Sequence, residues 1–168
     1  MSYEEIYKSK LMTADEAVAA HIKSGDKIWL GGLSVADKTL SCVIEKVKQG
    51  ALENIDFYGN MTMDDIGLAD KDIPADKFRY HAFFYGGYER EGCKNGVVTN
   101  VPLHLSRFED YVSYIDPDVA VVPMTPPNEQ GFCNIGPAGY SPSGLNHAKK
   151  IIAQINKNIP RVYGSSHD

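Results

Sequence analysis

Residues 118–136 read DVAVVPMTPPNEQGFCNIG, and the first half of that stretch decides the fold class. Val119, Ala120, Val121 and Val122 form a continuous apolar run. Such a run suits a strand covered on both faces in an α/β protein, where a half-solvated sheet would alternate. Ligands of open α/β sheets gather outside the carboxyl ends of the strands, so the turn from Met124 to Asn128 is the first place to seek a site. Pro126 and Pro127 fix φ and lack an N–H. The chain therefore leaves the sheet stiffly and presents Asn128 and Glu129 in few directions. Gly131 then permits the reversal.

Upstream of this strand, helix and strand patterns alternate. Thr13 followed by Glu16 forms a capping box that opens a helix with Ala17, Val18 and Ile22 on one face, and Gly25 is placed to end it. Residues 27–30 (KIWL) read as a strand, followed by Gly31-Gly32-Leu33-Ser34 and a helix over residues 37–49. That helix repeats Leu40, Val43, Ile44 and Val47 before Gly50 stops it. Residues 54–58 (NIDFY) complete a βαβ unit expected to be parallel. The aromatic run at 78–85 (FRYHAFFY) predicts a strand, residues 88–94 a short helix, and residues 102–111 a helix with Leu103, Leu105, Phe108 and Tyr111 apolar. Beyond Gly131, residues 143–150 read as a helix and 151–155 as a strand. The alternation predicts one open, mostly parallel α/β sheet flanked by helices, a single domain over residues 1–168.

Composition narrows the function classes. The chain of 168 residues is 43% hydrophobic and 23% charged, and its 17 basic against 22 acidic residues give a net charge of −5 without a basic face. Nucleic acid and anionic membrane surfaces are poor partners for that distribution. No apolar run approaches the roughly 18 residues that cross a bilayer, and the acidic start lacks the regions of a signal peptide, so a cytoplasmic protein is expected. Cys42, Cys93 and Cys133 form no CxxC pair and read as thiols in a reducing compartment, with neither a disulfide framework nor a metal site implied. The five histidines form no HExxH or H-x₃₋₅-H pair.

Several strand ends carry candidate site residues. Gly31 and Gly32 lie between a strand and a helix, where backbone N–H groups can meet a phosphate or carboxylate; a tight turn that lets strand and helix pack closely is the commoner reason for such a pair. Ser34 either donates to a carboxylate there or caps the next helix. Asn60 and Met61 follow the second strand at the same sheet edge, as lining for a ligand pocket or as loop residues over the sheet end. Asp64 and Asp65 are better placed at a helix N-terminus than as paired acids. Gly86-Gly87 has the same double reading as Gly31-Gly32. Phe78, Tyr80, Phe83 and Phe84 read as core and interdomain contacts, because no basic residues interleave with them.

The turn also belongs to a wider set of matching segments. Residues 10–18 (KLMTADEAV), 22–26 (IKSGD), 126–132 (PPNEQGF) running on through Asn134-Ile135-Gly136-Pro137, and the stretch from Ala148-Lys149 to Pro160-Arg161 occur in one order and spacing. In these the chain resembles the amino-terminal half of the acetyl-CoA hydrolase and CoA-transferase family, and within it the 4-hydroxybutyrate and butyryl-CoA:acetate CoA-transferases. The resemblance implies a two-domain CoA-transferase fold of which this is the N-terminal domain, with the polypeptide continuing past Asp168 into a C-terminal half. It implies ping-pong transfer of CoA from an acyl-CoA to a small carboxylate through a glutamyl-CoA thioester. The glutamate belongs to that other half, so no catalytic residue is expected here and Glu129 is not the nucleophile. No metal or redox cofactor is implied, and coenzyme A thioester enters as substrate. Gly31, Gly32, Ser34, Asn60, Met61, Pro126, Pro127, Asn128 and Gly131 become candidate lining of a cleft between the halves. The face for the absent half should be apolar and could also support homodimerisation. An acetyl-CoA hydrolase and a non-catalytic module binding a CoA ester or carboxylate are the alternatives.

Overall fold

The computed structural model describes residues 2–32, 35–137, 141–163 and 166–167. Helix α1 (Tyr3–Lys10) opens on a capping box, with Glu5 N–H donating to Ser2 Oγ at 3.2 Å and Ser2 N–H to Glu5 Oε2 at 2.7 Å. This helix was not expected from the sequence, since it buries no residue and so shows no apolar stripe. Helix α2 (Ala14–His21) opens on the expected Thr13–Glu16 box, whose two hydrogen bonds are 3.2 and 2.8 Å. It ends at His21, and Gly25 (φ +88°) instead forms the following turn, donating to Glu53 O.

Strand β1 (Lys27–Trp29) leads to α3 (Asp37–Lys48), and β2 (Ile55–Gly59) follows. Strand β3 (Phe78–Ala82), α4 (Gly87–Lys94) and β4 (Val98–Asn100) come next. A single 3-10 turn at Leu105–Arg107 runs into α5 (Phe108–Ile115), then β5 (Val119–Met124), β6 (Cys133–Asn134), α6 (Ser141–His147), β7 (Lys150–Ile155) and β8 (Ser166–His167). Among the described residues six strands form one sheet in the order β4-β3-β2-β1-β5-β7, every pair parallel, while β6 and β8 make a separate antiparallel pair.

The alternation of side chains along each strand divides the core into two layers. Ile28 and Leu30 of the β1 segment, Phe57, Tyr80, Val119 and Val121 face Val18, Leu40, Val43 and Ile44 of α2 and α3. Trp29, Ala120, Val122 and Met124 face Phe108, Val112 and Ile115 of α5 and Leu145 of α6. All six residues of β5 are buried, as its unbroken apolar run predicts. Pro123 is tolerated within it because β1 pairs only as far as Trp29↔Ala120, leaving β7 as the ladder partner at Pro123↔Gln154.

Several elements differ from the sequence pattern. The helix expected over residues 102–111 is displaced: the buried stripe is Phe108, Val112 and Ile115, which has helical i, i+4, i+7 spacing, whereas Leu105 is 56% exposed. Asp116 (φ +52°) ends it in the left-handed region. The aromatic strand stops at Ala82 rather than Tyr85, because its ladder partners Gly59 and Asn100 are the last residues of β2 and β4. Strand β4 itself, only three residues long, gave no pattern of its own.

Candidate functional site

In a parallel sheet every strand ends at the same edge, so the segments after β1, β2, β3 and β5 are neighbours in the order of the strands. They end at different heights. Trp29, the last residue of β1, pairs with Tyr58 of β2 and Ala120 of β5, yet β5 continues four residues further to Met124 with β7 beside it to Ile155. At the rise of an extended strand those residues add about 13 Å. The carboxyl edge is thus stepped, with β5 and β7 standing as a wall over the lower ends of β1 and β2. Gly31 and Gly32 follow the lower step and Asn60 and Met61 lie next to them, while Pro126, Pro127, Asn128 and Gly131 cap the wall.

The hairpin on top of the wall is held by its own polar groups. Asn128 Oδ1 accepts the N–H groups of Gln130 (3.0 Å) and Phe132 (2.9 Å), Asn128 N–H donates to Phe132 O (3.0 Å), and Gly131 N–H donates to Asn128 O (2.9 Å). Asn128 therefore shapes the tip while remaining exposed, as expected of an Asx turn. Gly131 has φ +91°, and a Cβ there would stand 2.8 Å from the ring of Tyr3, so glycine serves both the reversal and the approach of α1. Below the tip, Thr125 N–H donates to Asn134 O (2.9 Å) and Asn134 N–H to Thr125 Oγ1 (3.0 Å). Asn134 is buried, and its side chain grips Gly136 N–H, Val162 N–H and Val162 O at 2.9, 3.1 and 2.8 Å. Arg161 adds a strap, donating to Pro126 O at 2.6 Å. Pro126 and Pro127 are half-buried.

At the lower step Gly31 (φ +78°) and Gly32 are buried, and Ser34 lies outside the described residues. Helix α3 takes Ala36 as its N-cap, without a side-chain bond from that residue. The cap comes from β7: Gln154 Oε1 accepts Thr39 N–H (3.0 Å) and Thr39 Oγ1 (3.2 Å), and Gln154 Nε2 donates to Asp37 Oδ1 (2.7 Å). One of the helix's orphan donors is thereby satisfied from within the protein.

Asn60 is buried and Met61 half-buried. Two residues that the sequence reading did not assign to the site hold the loop that carries them. Tyr80 Oη donates to Asn60 O, and burial, aided by the negative charge of Glu89, pushes the Tyr80 hydroxyl well above its ordinary pKa. Glu89, fully buried on α4, accepts Thr62 N–H at 2.7 Å, Thr62 Oγ1 at 2.9 Å and Gly86 N–H at 2.9 Å. Its place three residues after Gly86, at the N3 position of a helix, was the available signal.

Met63 and Phe84, at the loops after β2 and β3, and Phe132 of the hairpin are exposed apolar side chains. The edge also offers amide, hydroxyl, thioether and proline groups and the exposed carboxylates of Asp64, Asp65 and Glu129, with its one buried carboxylate engaged by three donors. Such groups bind, orient and exclude water. Among the described residues no group of three His, Cys, Asp or Glu side chains could hold a metal ion, and no helix is long and apolar enough to cross a membrane. Cys42, Cys93 and Cys133 are free thiols, and burial raises the Cys133 pKa.

Comparison with known proteins gives this edge its context. Residues 1–168 match the family model of the acetyl-CoA hydrolase/transferase N-terminal domain. The chain is 36% identical over 167 residues to a butyryl-CoA:acetate CoA-transferase of Anaerostipes caccae, covering 98% of this chain and 37% of that protein. It is 29% identical over 172 residues to a 4-hydroxybutyrate coenzyme A transferase of Clostridium kluyveri, covering 99% and 39%. Its fold superposes on RipA from Yersinia pestis with a TM-score of 0.87 at 20% identity, over 99% of this chain and 42% of that one. A 4-hydroxybutyrate CoA-transferase from Porphyromonas gingivalis gives a TM-score of 0.70 at 22% identity, over 98% and 38%. The chain thus spans well under half the length of the relatives it matches.

Proposed function

This chain belongs to the acetyl-CoA hydrolase/transferase family as its N-terminal domain, and from that premise we propose that it forms one side of the active-site cleft of an acyl-CoA:carboxylate CoA-transferase. The stepped carboxyl edge supports the reading, because Gly31, Gly32, Asn60, Met61 and the residue 126–131 hairpin all follow strands that end at that edge. Relatives named for butyryl-CoA, acetate and 4-hydroxybutyrate support a short acyl chain and a small carboxylate as substrates.

The chemistry proposed is ping-pong transfer by a glutamate outside these residues. Its carboxylate attacks the thioester carbonyl and expels CoA thiolate, leaving a mixed anhydride. The thiolate then attacks the glutamyl carbonyl, which releases the donor's carboxylate and forms a glutamyl-CoA thioester. The acceptor carboxylate reverses both steps and leaves with CoA. No electron is gained or lost, so the cycle calls for no redox cofactor. Within it the present chain's task is to hold the acyl group against Met61 and Asn60 and to keep water from the thioester and anhydride, since water would turn transfer into hydrolysis.

The test is to incubate the full-length polypeptide with butyryl-CoA and labelled acetate, and to treat a parallel sample with borohydride, which reduces a thioester but leaves a carboxylate intact. Acetyl-CoA should form, and borohydride should inactivate only protein already exposed to acyl-CoA. Release of free CoA without acetyl-CoA would make the protein a hydrolase, and neither product would leave a binding module.

A further inference from the structure

Among the described residues Glu89 is the one fully buried charged side chain. A carboxylate withdrawn from water is costly unless hydrogen bonds replace its hydration, and a glutamate at a helix N-terminus can satisfy a nearby N–H while remaining at the surface. Here only the Gly86 bond serves the start of α4; the other oxygen crosses to the loop after β2, taking both the N–H and the hydroxyl of Thr62. The turn before α4 and the loop after β2 close tightly around it. A Cβ at Gly86 would stand 2.8 Å from Glu89 Oε2 and 3.2 Å from Met61 Cβ, so the absence of a side chain there lets the carboxylate and Met61 approach the same turn. On the other side of Met61, the Asn60 carbonyl is tied down by Tyr80 Oη. Met61 is thus flanked by two anchored residues, Asn60 and Thr62, and packed against a third segment.

We propose that Glu89 is a positioning residue for acyl-chain selectivity: without touching the substrate, it fixes the Asn60-Met61-Thr62 loop and so sets the depth of the wall that the acyl chain meets. This rests on the reading of that loop as the acyl wall. A methionine on a loose loop adapts to many chain lengths, whereas one held at both flanks favours the chain that fits. A methylene gained or lost in an apolar pocket changes kcat/KM by about tenfold or more, and that is the sensitivity a fixed wall confers.

The experiment measures kcat and KM of the full-length polypeptide with acetyl-, butyryl- and hexanoyl-CoA at saturating acceptor, for the unaltered protein and for Glu89→Gln, Thr62→Val, Met61→Ala and, as a control on exposed α4 charge, Glu91→Gln. Glu89→Gln places an amide among three donors, so the ratio of kcat/KM between butyryl- and acetyl-CoA should move by about tenfold, through the KM of acyl-CoA. Met61→Ala should move it in the same direction and Glu91→Gln should leave it alone. Thr62→Val keeps the backbone bond and loses the hydroxyl bond, giving a smaller shift of the same sign; it decides the matter if Glu89→Gln does not fold. A purely structural Glu89 would lower the yield of active protein equally for every acyl-CoA. An unchanged ratio in the Glu89 and Thr62 variants, with Met61→Ala shifted, overturns the positioning role alone. An unchanged ratio in Met61→Ala, or no CoA transfer by the unaltered protein, removes the acyl-wall reading and this inference with it.

Discussion

Asp118 shows how single residues secure the strand on which the site stands. It opens β5 by accepting Lys27 N–H at 3.0 Å on one oxygen and the Lys149 ammonium at 2.9 Å on the other. Burial acts to raise its pKa, but the Lys27 N–H and Lys149 outweigh burial and hold the carboxyl below its ordinary value. A depressed folded pKa stabilises the fold above the unfolded value, about 3.9, and that stability is lost as pH falls through the lower folded value. Asp118→Asn should therefore cost about 1 kcal/mol near neutral pH, and the gap in denaturant midpoint between the two proteins should narrow as pH drops below about 4. A gap that stays constant down to pH 2 would mean that the charge of Asp118 contributes nothing. Residues whose role is local were legible: Pro126, Pro127 and Gly131 stiffen and reverse the chain by properties of their own backbone. The long-range bonds of Glu89, Tyr80 and Gln154 were not, since those partners lie 27, 20 and 115 residues away and only the folded sheet brings them together.

At the scale of elements, the cap of α3 from β7 links the lower step to the wall. Replacing Gln154 with Ala strands the Thr39 N–H and leaves Asp37 without its amide donor. A loss of about 1 kcal/mol is expected, the size of a lost N-cap, together with faster hydrogen exchange in the first turn of α3; unchanged exchange there would show that another group serves the helix end. The elements that the sequence announced were those with a long buried stripe, such as α3, or an unbroken apolar run, such as β5. Helix α5 was displaced because Leu103 and Leu105 extended the apolar pattern toward Pro102, although the stripe that packs is Phe108, Val112 and Ile115. Helix α1 and strand β4 carry little buried surface, so their placement depends on what they dock against: Tyr3 on Gly131, and Val98 beside Tyr80.

For the whole molecule, the two layers are unequal. Helices α2 and α3 back one face of the sheet, while on the other face α5 and α6 pack where β1 and β5 lie. Toward β2, β3 and β4 that second face carries Asp56, Tyr58, Arg79, His81 and Thr99, half-buried or exposed. There His81 stacks on Tyr58 with ring centroids 4.5 Å apart and pairs with Asp56 at 2.8 Å, and burial, with the nearby Asp56 charge, pushes the Tyr58 hydroxyl to about 12. The apolar groups left exposed at the carboxyl edge, Met63, Phe84 and Phe132, lie instead around the proposed cleft. On the proposed function this edge, and no other surface of the domain, meets the acyl-CoA. Hydrogen exchange of the full-length polypeptide, with and without butyryl-CoA, is the experiment that decides it. Slower exchange at residues 31–32, 60–62 and 126–132, with the amino-terminal ends of the strands unchanged, is the predicted result; protection elsewhere in residues 1–168 with none at those loops would contradict it.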